Sequence, residues 1–163
     1  MNAFTTSDYT AYPFASENRK DYFNLLEVYL DAVFFSRLDP LDFSQEGHRV
    51  EFQDPEDSDS SLVYKGVVYN EMKGDTSSPV SMLYHGVQEV LYPTSTYHYN
   101  SGGDPGSIPS LSYEELKAFY QSHYHPSNAI FMTFGDLDAA TLQEKIASLA
   151  LDRLESSLSL IHI

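Results

Sequence analysis

The 163 residues contain no cysteine and no tryptophan. Without cysteine there is neither a disulfide framework nor a thiolate metal site, and the redox compartment is left open. Basic residues are scarce, nine Lys and Arg against 24 Asp and Glu, for a formal charge of −15. Phosphate-backbone binding needs clustered Lys and Arg, so nucleic acid is not an expected partner. No apolar run approaches the length of a membrane-spanning helix, and no membrane partner is expected. The start, Met1-Asn-Ala-Phe-Thr-Thr-Ser-Asp8, has neither the basic nor the apolar segment of a secretory leader.

What is abundant is aromatic surface, with 13 Tyr and 10 Phe. Phenolic rings suit strands and helix faces that pack with one wet edge, which is a core signal before it is a binding signal. The length suits one domain with a single sizeable core.

Periodicity divides the chain into short elements. Residues 4 to 14 alternate polar with aromatic around Ser7-Asp8 and are expected to form a hairpin. From Asn18 to Phe35, Phe23, Leu26, Leu30, Val33 and Phe34 recur at helical spacing, and Pro40 closes that unit. Residues 43 to 52 read as a short helix running into a strand. The acidic, Ser-rich stretch from Gln53 to Ser61 reads as an exposed loop. Helices are expected over Val63 to Lys73 and Ser77 to Leu91, with Tyr92 to Pro109 as loop. Ser112-Tyr-Glu-Glu115 is a capping box opening a helix that stops near Pro126. Asn128 to Phe134 is apolar without alternation, the pattern of a central strand, and a last helix follows with Leu142, Ile146 and Leu149 inward. The fold class expected is α+β, one mixed, mainly antiparallel sheet with helices packed on one face.

Among residues that could carry chemistry, Glu71 stands out because Val67-Val-Tyr-Asn-Glu-Met72 surrounds a carboxylate with apolar neighbours. A carboxylate on a buried apolar face loses several kcal/mol of solvation unless a cation offsets it, and zinc does so directly. A solvated surface Glu is the alternative. His123-Tyr-His125 could place two imidazoles on one ion, but no acidic third ligand has suitable spacing, so these rings are expected to satisfy loose backbone at a helix end. Ser101-Gly-Gly-Asp104 lacks the Lys-Ser/Thr of a phosphate loop and the Gly-x-Ser-x-Gly of a nucleophile turn, and reads as loop shape alone.

Five collinear segments carry a resemblance: Asn2-Ala-Phe-Thr5, Gln45-Glu-Gly47, Lys65-Gly-Val-Val-Tyr-Asn-Glu-Met-Lys-Gly74, Ser101-Gly-Gly-Asp-Pro105 and His123-Tyr-His-Pro-Ser-Asn128. Together they resemble the pitrilysin/insulinase family of zinc metallopeptidases, and within it the presequence-protease branch, over residues 2 to about 151. The resemblance implies that Glu71 is the distal ligand of a catalytic Zn2+. It also implies that Asn2, Ala3 and Phe4 lie on a strand that pairs with an extended, unfolded peptide substrate, Phe4 lining the pocket past the scissile bond. In the family the other two ligands and the general base come from a His-x-x-Glu-His motif, which these 163 residues lack; His48-Arg-Val-Glu51-Phe52 is the nearest approach. The insulin-degrading type also carries an acidic residue seven positions before the ligand, where this chain has Tyr64.

No catalytic residue is therefore expected within the chain. Residues 1–157 are expected to be the later part of one catalytic domain whose partner is the remainder of a parent chain. Residues 158–163, Leu-Ser-Leu-Ile-His-Ile, break the helix pattern before them and resemble adapter-encoded sequence, so they are expected to be a non-native tail. A non-catalytic peptide-binding or assembly module of the same fold is the alternative. Bacterial cytoplasm or periplasm and an organelle matrix all stay open as compartments.

Overall fold

The computed structural model describes residues 1–154. The described residues separate into two compact units: the first comprises Met1–Asn2, Tyr12–Arg37 and residues 114–154, the second Ala3–Ala11 and Leu38–Tyr113. In chain order the elements are β1 (Phe4–Thr5), β2 (Thr10–Ala11), α1 (Arg19–Phe34), α2 (Pro40–Asp42), β3 (Arg49–Phe52), β4 (Leu62–Lys65), α3 (Val67–Asp75), α4 (Pro79–Leu91), α5 (Tyr113–His123) and α6 (Ala139–Leu149).

The first unit holds the core. Asn18 caps α1 by accepting from the Lys20 and Asp21 amides, and Asp138 caps α6 by accepting from the Thr141 amide. Helical spacing then brings Leu26, Leu30 and Phe34 of α1 onto Leu142, Ile146 and Ala150, all buried, with Phe14, Phe23, Val33 and Leu149 packed around them. Arg153 lies over the Phe35 ring at 3.7 Å and covers one edge of this cluster. Tyrosines staple the unit: Tyr12 and Tyr124 share a hydrogen bond of 2.8 Å, and Tyr120 donates to the Val33 carbonyl while accepting from the Ser36 amide. Burial pushes the Tyr12 phenol well above its ordinary value.

The second unit is built from hairpins and surface helices. β1 and β2 pair antiparallel as the alternation around Ser7-Asp8 predicts. A π-helical turn, Phe43–Gly47, leads into β3, which pairs antiparallel with β4 in the register Arg49 to Lys65 and Phe52 to Leu62. Glu51 takes Lys65 across this ladder at 2.7 Å and Arg49 along its own strand at 2.6 Å, and these hydrogen bonds, Lys65 first, hold its carboxyl below the usual range.

Three expectations need correction. The helix expected from Val63 starts at Val67, and Leu62–Lys65 is a strand. Its β-prone residues find a partner in β3, and Gly66 ends the strand where the backbone meets Gly47 so closely that a Cβ would strike the Gly47 carbonyl. The strand expected over 128–134 is not formed. A 3-10 turn, Pro126–Asn128, is followed by unpaired backbone in which Ile130, Met132 and Phe134 point outward and Phe131 packs on Phe34. A strand needs a neighbour for its N–H and C=O groups, and none pairs with this stretch among the described residues. For the same reason the α+β class holds, but in place of one mixed sheet the described residues form two separate two-stranded antiparallel sheets. The tail at 158–163 lies outside the described residues.

Candidate functional site

Glu71 sits in the middle of α3, and its surroundings differ from those the sequence suggests. It is exposed, α3 contains no buried residue, and Val67 and Val68 beside it are exposed as well. The carboxylate therefore suffers little desolvation here. It is also unengaged, with no hydrogen bond or ion pair among the described residues. Three acids of the same unit are bonded: Glu51 by Lys65 and Arg49, Asp75 by His85, Asp104 by Ser107.

Four residues along the helix, Asp75 Oδ2 accepts from His85 Nε2 at 3.0 Å. That bond, with further donors in Ser81 and Asn100, holds the Asp75 carboxyl below the usual carboxylate range. Bonding to the carboxylate places the imidazole proton on Nε2, and His85 Nδ1 is sealed from solvent with no hydrogen-bond partner among the described residues. Local spacing assigns His85 no partner, because Asp75 and Asn100 lie ten and fifteen residues away on different elements. The apolar spacing of α4 did not distinguish it from a surface histidine.

The loop after α4 closes onto this point. Asn100 Oδ1 accepts from the Gly102 amide at 2.9 Å, and the missing Cβ of Gly102 makes room for the Met72 side chain, so the loop touches the residue next to Glu71. Gly103 takes φ of 94°, a conformation glycine adopts without strain.

Ala3 and Phe4 belong to this unit too. Phe4 is 49% exposed and meets Tyr9 edge-on at 6.1 Å, so its ring is not a core residue. Asn2 falls in the first unit, where its amide donates to the Tyr29 hydroxyl at 2.7 Å. Tyr64, in the position where the insulin-degrading type has an acid, points its ring at His48 and Tyr69. Three other histidines have structural work: His123 stacks on Phe119 at 4.0 Å and bonds the Phe119 carbonyl, His125 accepts from the Ser127 amide, and His48 meets the Leu111 carbonyl.

Could this arrangement hold a metal? An exposed, unengaged carboxylate fits zinc as one oxygen donor. Among the described residues no three His, Asp or Glu side chains group as a metal site, so Glu71 fits as a single ligand and not as a centre. No helix among the described residues is long and apolar enough to cross a membrane.

Comparison with known proteins places these segments. The chain is 52% identical over 155 residues to a mitochondrial presequence protease of Danio rerio, covering 95% of this chain and 15% of that protein. Over nearly its whole length this chain is similar to peptidases of the presequence-protease type. A mitochondrial presequence protease of Schizosaccharomyces pombe is 49% identical over 150 residues, 92% of this chain and 15% of the relative. Presequence protease 1 of Arabidopsis thaliana, chloroplastic and mitochondrial, is 48% identical over 159 residues, 96% of this chain and 14% of the relative. The chain thus spans about 15% of the length of these curated relatives. Residues 110–157 match the family model described as the Peptidase M16 inactive domain, a stretch that begins well after Glu71.

Proposed function

We propose that this chain is part of a zinc-dependent endopeptidase that degrades unfolded peptides such as cleaved targeting presequences, and that Glu71 is its distal zinc ligand. The observation that carries the reading is the Glu71 carboxylate, left exposed and unengaged in the middle of α3, while Asp75 at the end of the same helix is bonded to His85. Kinship with proteins named presequence protease supplies the reaction class. When bound, the zinc would activate a water for attack on a peptide carbonyl.

The residues of this chain have three tasks in that reading. Glu71 offers one carboxylate oxygen to the ion. The strand containing Asn2, Ala3 and Phe4 pairs main chain to main chain with an extended peptide, which tolerates varied side chains because the bonds are to backbone. Phe4, with half its surface free, contributes an apolar wall for the side chain past the scissile bond. Residues 1–157 then form the later part of a catalytic domain, with the paired histidines and the general base supplied by the remainder of a longer parent chain. A single carboxylate neither selects nor retains zinc. The 163-residue chain alone should therefore hydrolyse no peptide, and zinc-dependent cleavage by it that Glu71→Ala abolished would overturn this assignment.

A second reading, a non-catalytic peptide-binding or assembly module, is favoured by the description of the family model over 110–157 as an inactive domain. A His-x-x-Glu-His motif in the parent sequence ahead of Met1 supports the first reading; a parent without it supports the second.

A further inference from the structure

The loop Asn100–Gly103 touches both elements that the proposed function uses. At one end Ser101 Oγ donates to the Thr5 carbonyl of β1 at 3.2 Å. At the other, Gly102 lies against Met72, the neighbour of Glu71, and Asn100 joins the Asp75 and His85 pair at the end of α3, its Nδ2 3.2 Å from His85 Nε2. The same stretch grips the hairpin a second time, since Tyr97 OH donates to Asp8 Oδ2 at the β1–β2 turn at 2.8 Å.

β1 is two residues long and pairs only with β2 among the described residues, so its own ladder fixes it weakly. A short strand of that kind needs outside ties to keep a defined place. We propose that the Asn100–Gly103 loop is a strut that sets β1 against the Glu71 helix, with Ser101 and Asn100 as positioning residues for the peptide that β1 pairs. This rests on the proposed roles of β1 and Glu71. The physical basis is that an extended peptide held by backbone bonds presents its scissile carbonyl at a place dictated by strand position, where an error near 1 Å is costly. Ser101 fixes β1 through one hydrogen bond to main chain. Asn100 fixes the loop by accepting from the Gly102 amide on one side and donating to the Asp75 carboxylate on the other.

The test uses the full-length protein that carries this chain. Ser101→Ala removes one bond and Ser101→Thr keeps it. Hydrogen exchange of the 4–11 segment should rise about three- to tenfold in Ser101→Ala, the worth of one neutral hydrogen bond, and return toward wild type in Ser101→Thr. KM for an extended peptide should rise by a similar factor in Ser101→Ala, with zinc content unchanged. Asn100→Ala should loosen both the 4–11 segment and the loop itself. Wild-type exchange over 4–11 in Ser101→Ala would overturn the strut, as would an equal KM defect in Ser101→Thr. Failure of the underlying reading looks different: Glu71→Gln would retain zinc, while the exchange result would still report whether the loop holds β1.

Discussion

Two helices of this chain, α1 and α4, carry apolar residues at the same helical spacing and meet opposite fates. On α1, Leu26, Leu30 and Phe34 are buried because α6 returns with Leu142 and Ile146 at the matching positions. On α4, Met82, Leu83, Gly86, Val87, Val90 and Leu91 form a shallow apolar concavity, and none of the helix is buried; Val90 is 80% exposed. Spacing alone thus tells that a helix has an apolar face and not whether the chain supplies what covers it. The difference teaches that core and candidate site belong to different kinds of structure here, one packed by the chain itself and one presented on lightly packed elements.

Substitutions on the two helices should separate them by size of effect. The largest effect should come from Ile146→Ala, which empties a buried position and should lower the opening free energy of the α1 amides by about 2–5 kcal/mol, read by hydrogen exchange. Asn18→Ala removes the α1 cap and should cost about 1 kcal/mol by the same measurement. A smaller, local effect belongs to the β3–β4 ladder. Because the folded Glu51 carboxyl lies below its unfolded value, its contribution is present above the ordinary Glu range and is lost as pH falls through the depressed folded value. Cross-strand NMR contacts between Arg49 and Lys65 should therefore weaken only in acid below the usual carboxylate range, and Glu51→Gln should remove that acid step. Leu83→Ala, on the exposed face of α4, should change stability by no more than about 0.5 kcal/mol. A cost for Leu83→Ala equal to that for Ile146→Ala would erase the distinction between the two helices.

The elements most legible in the sequence are those whose partners lie within the chain. Asn18 and the Leu26, Leu30, Phe34 stripe mark α1 almost to the residue, and Leu142 and Ile146 mark α6, because cap and period are local signals. Leu62–Lys65 was not legible as a strand, since four β-prone residues before a helix pattern read as its first turn until Arg49–Phe52 is placed beside them. The apolar run 129–134 reads as a central strand from composition, yet composition cannot supply the neighbouring strands. At the candidate site, Glu71 was singled out by its neighbours, but its exposure follows from what covers α3, which is not a local property. The Asp75, His85 and Asn100 cluster was invisible because it joins the end of one helix, the middle of the next and a loop.

The central claim, that Glu71 is a zinc ligand, is tested most directly by metal analysis of the full-length protein with Glu71 and with Glu71→Gln. About one zinc per chain is expected in the first and a substoichiometric amount in the second, with the 4–11 segment and the α1 core protected alike in both. Equal zinc in the two proteins would contradict it.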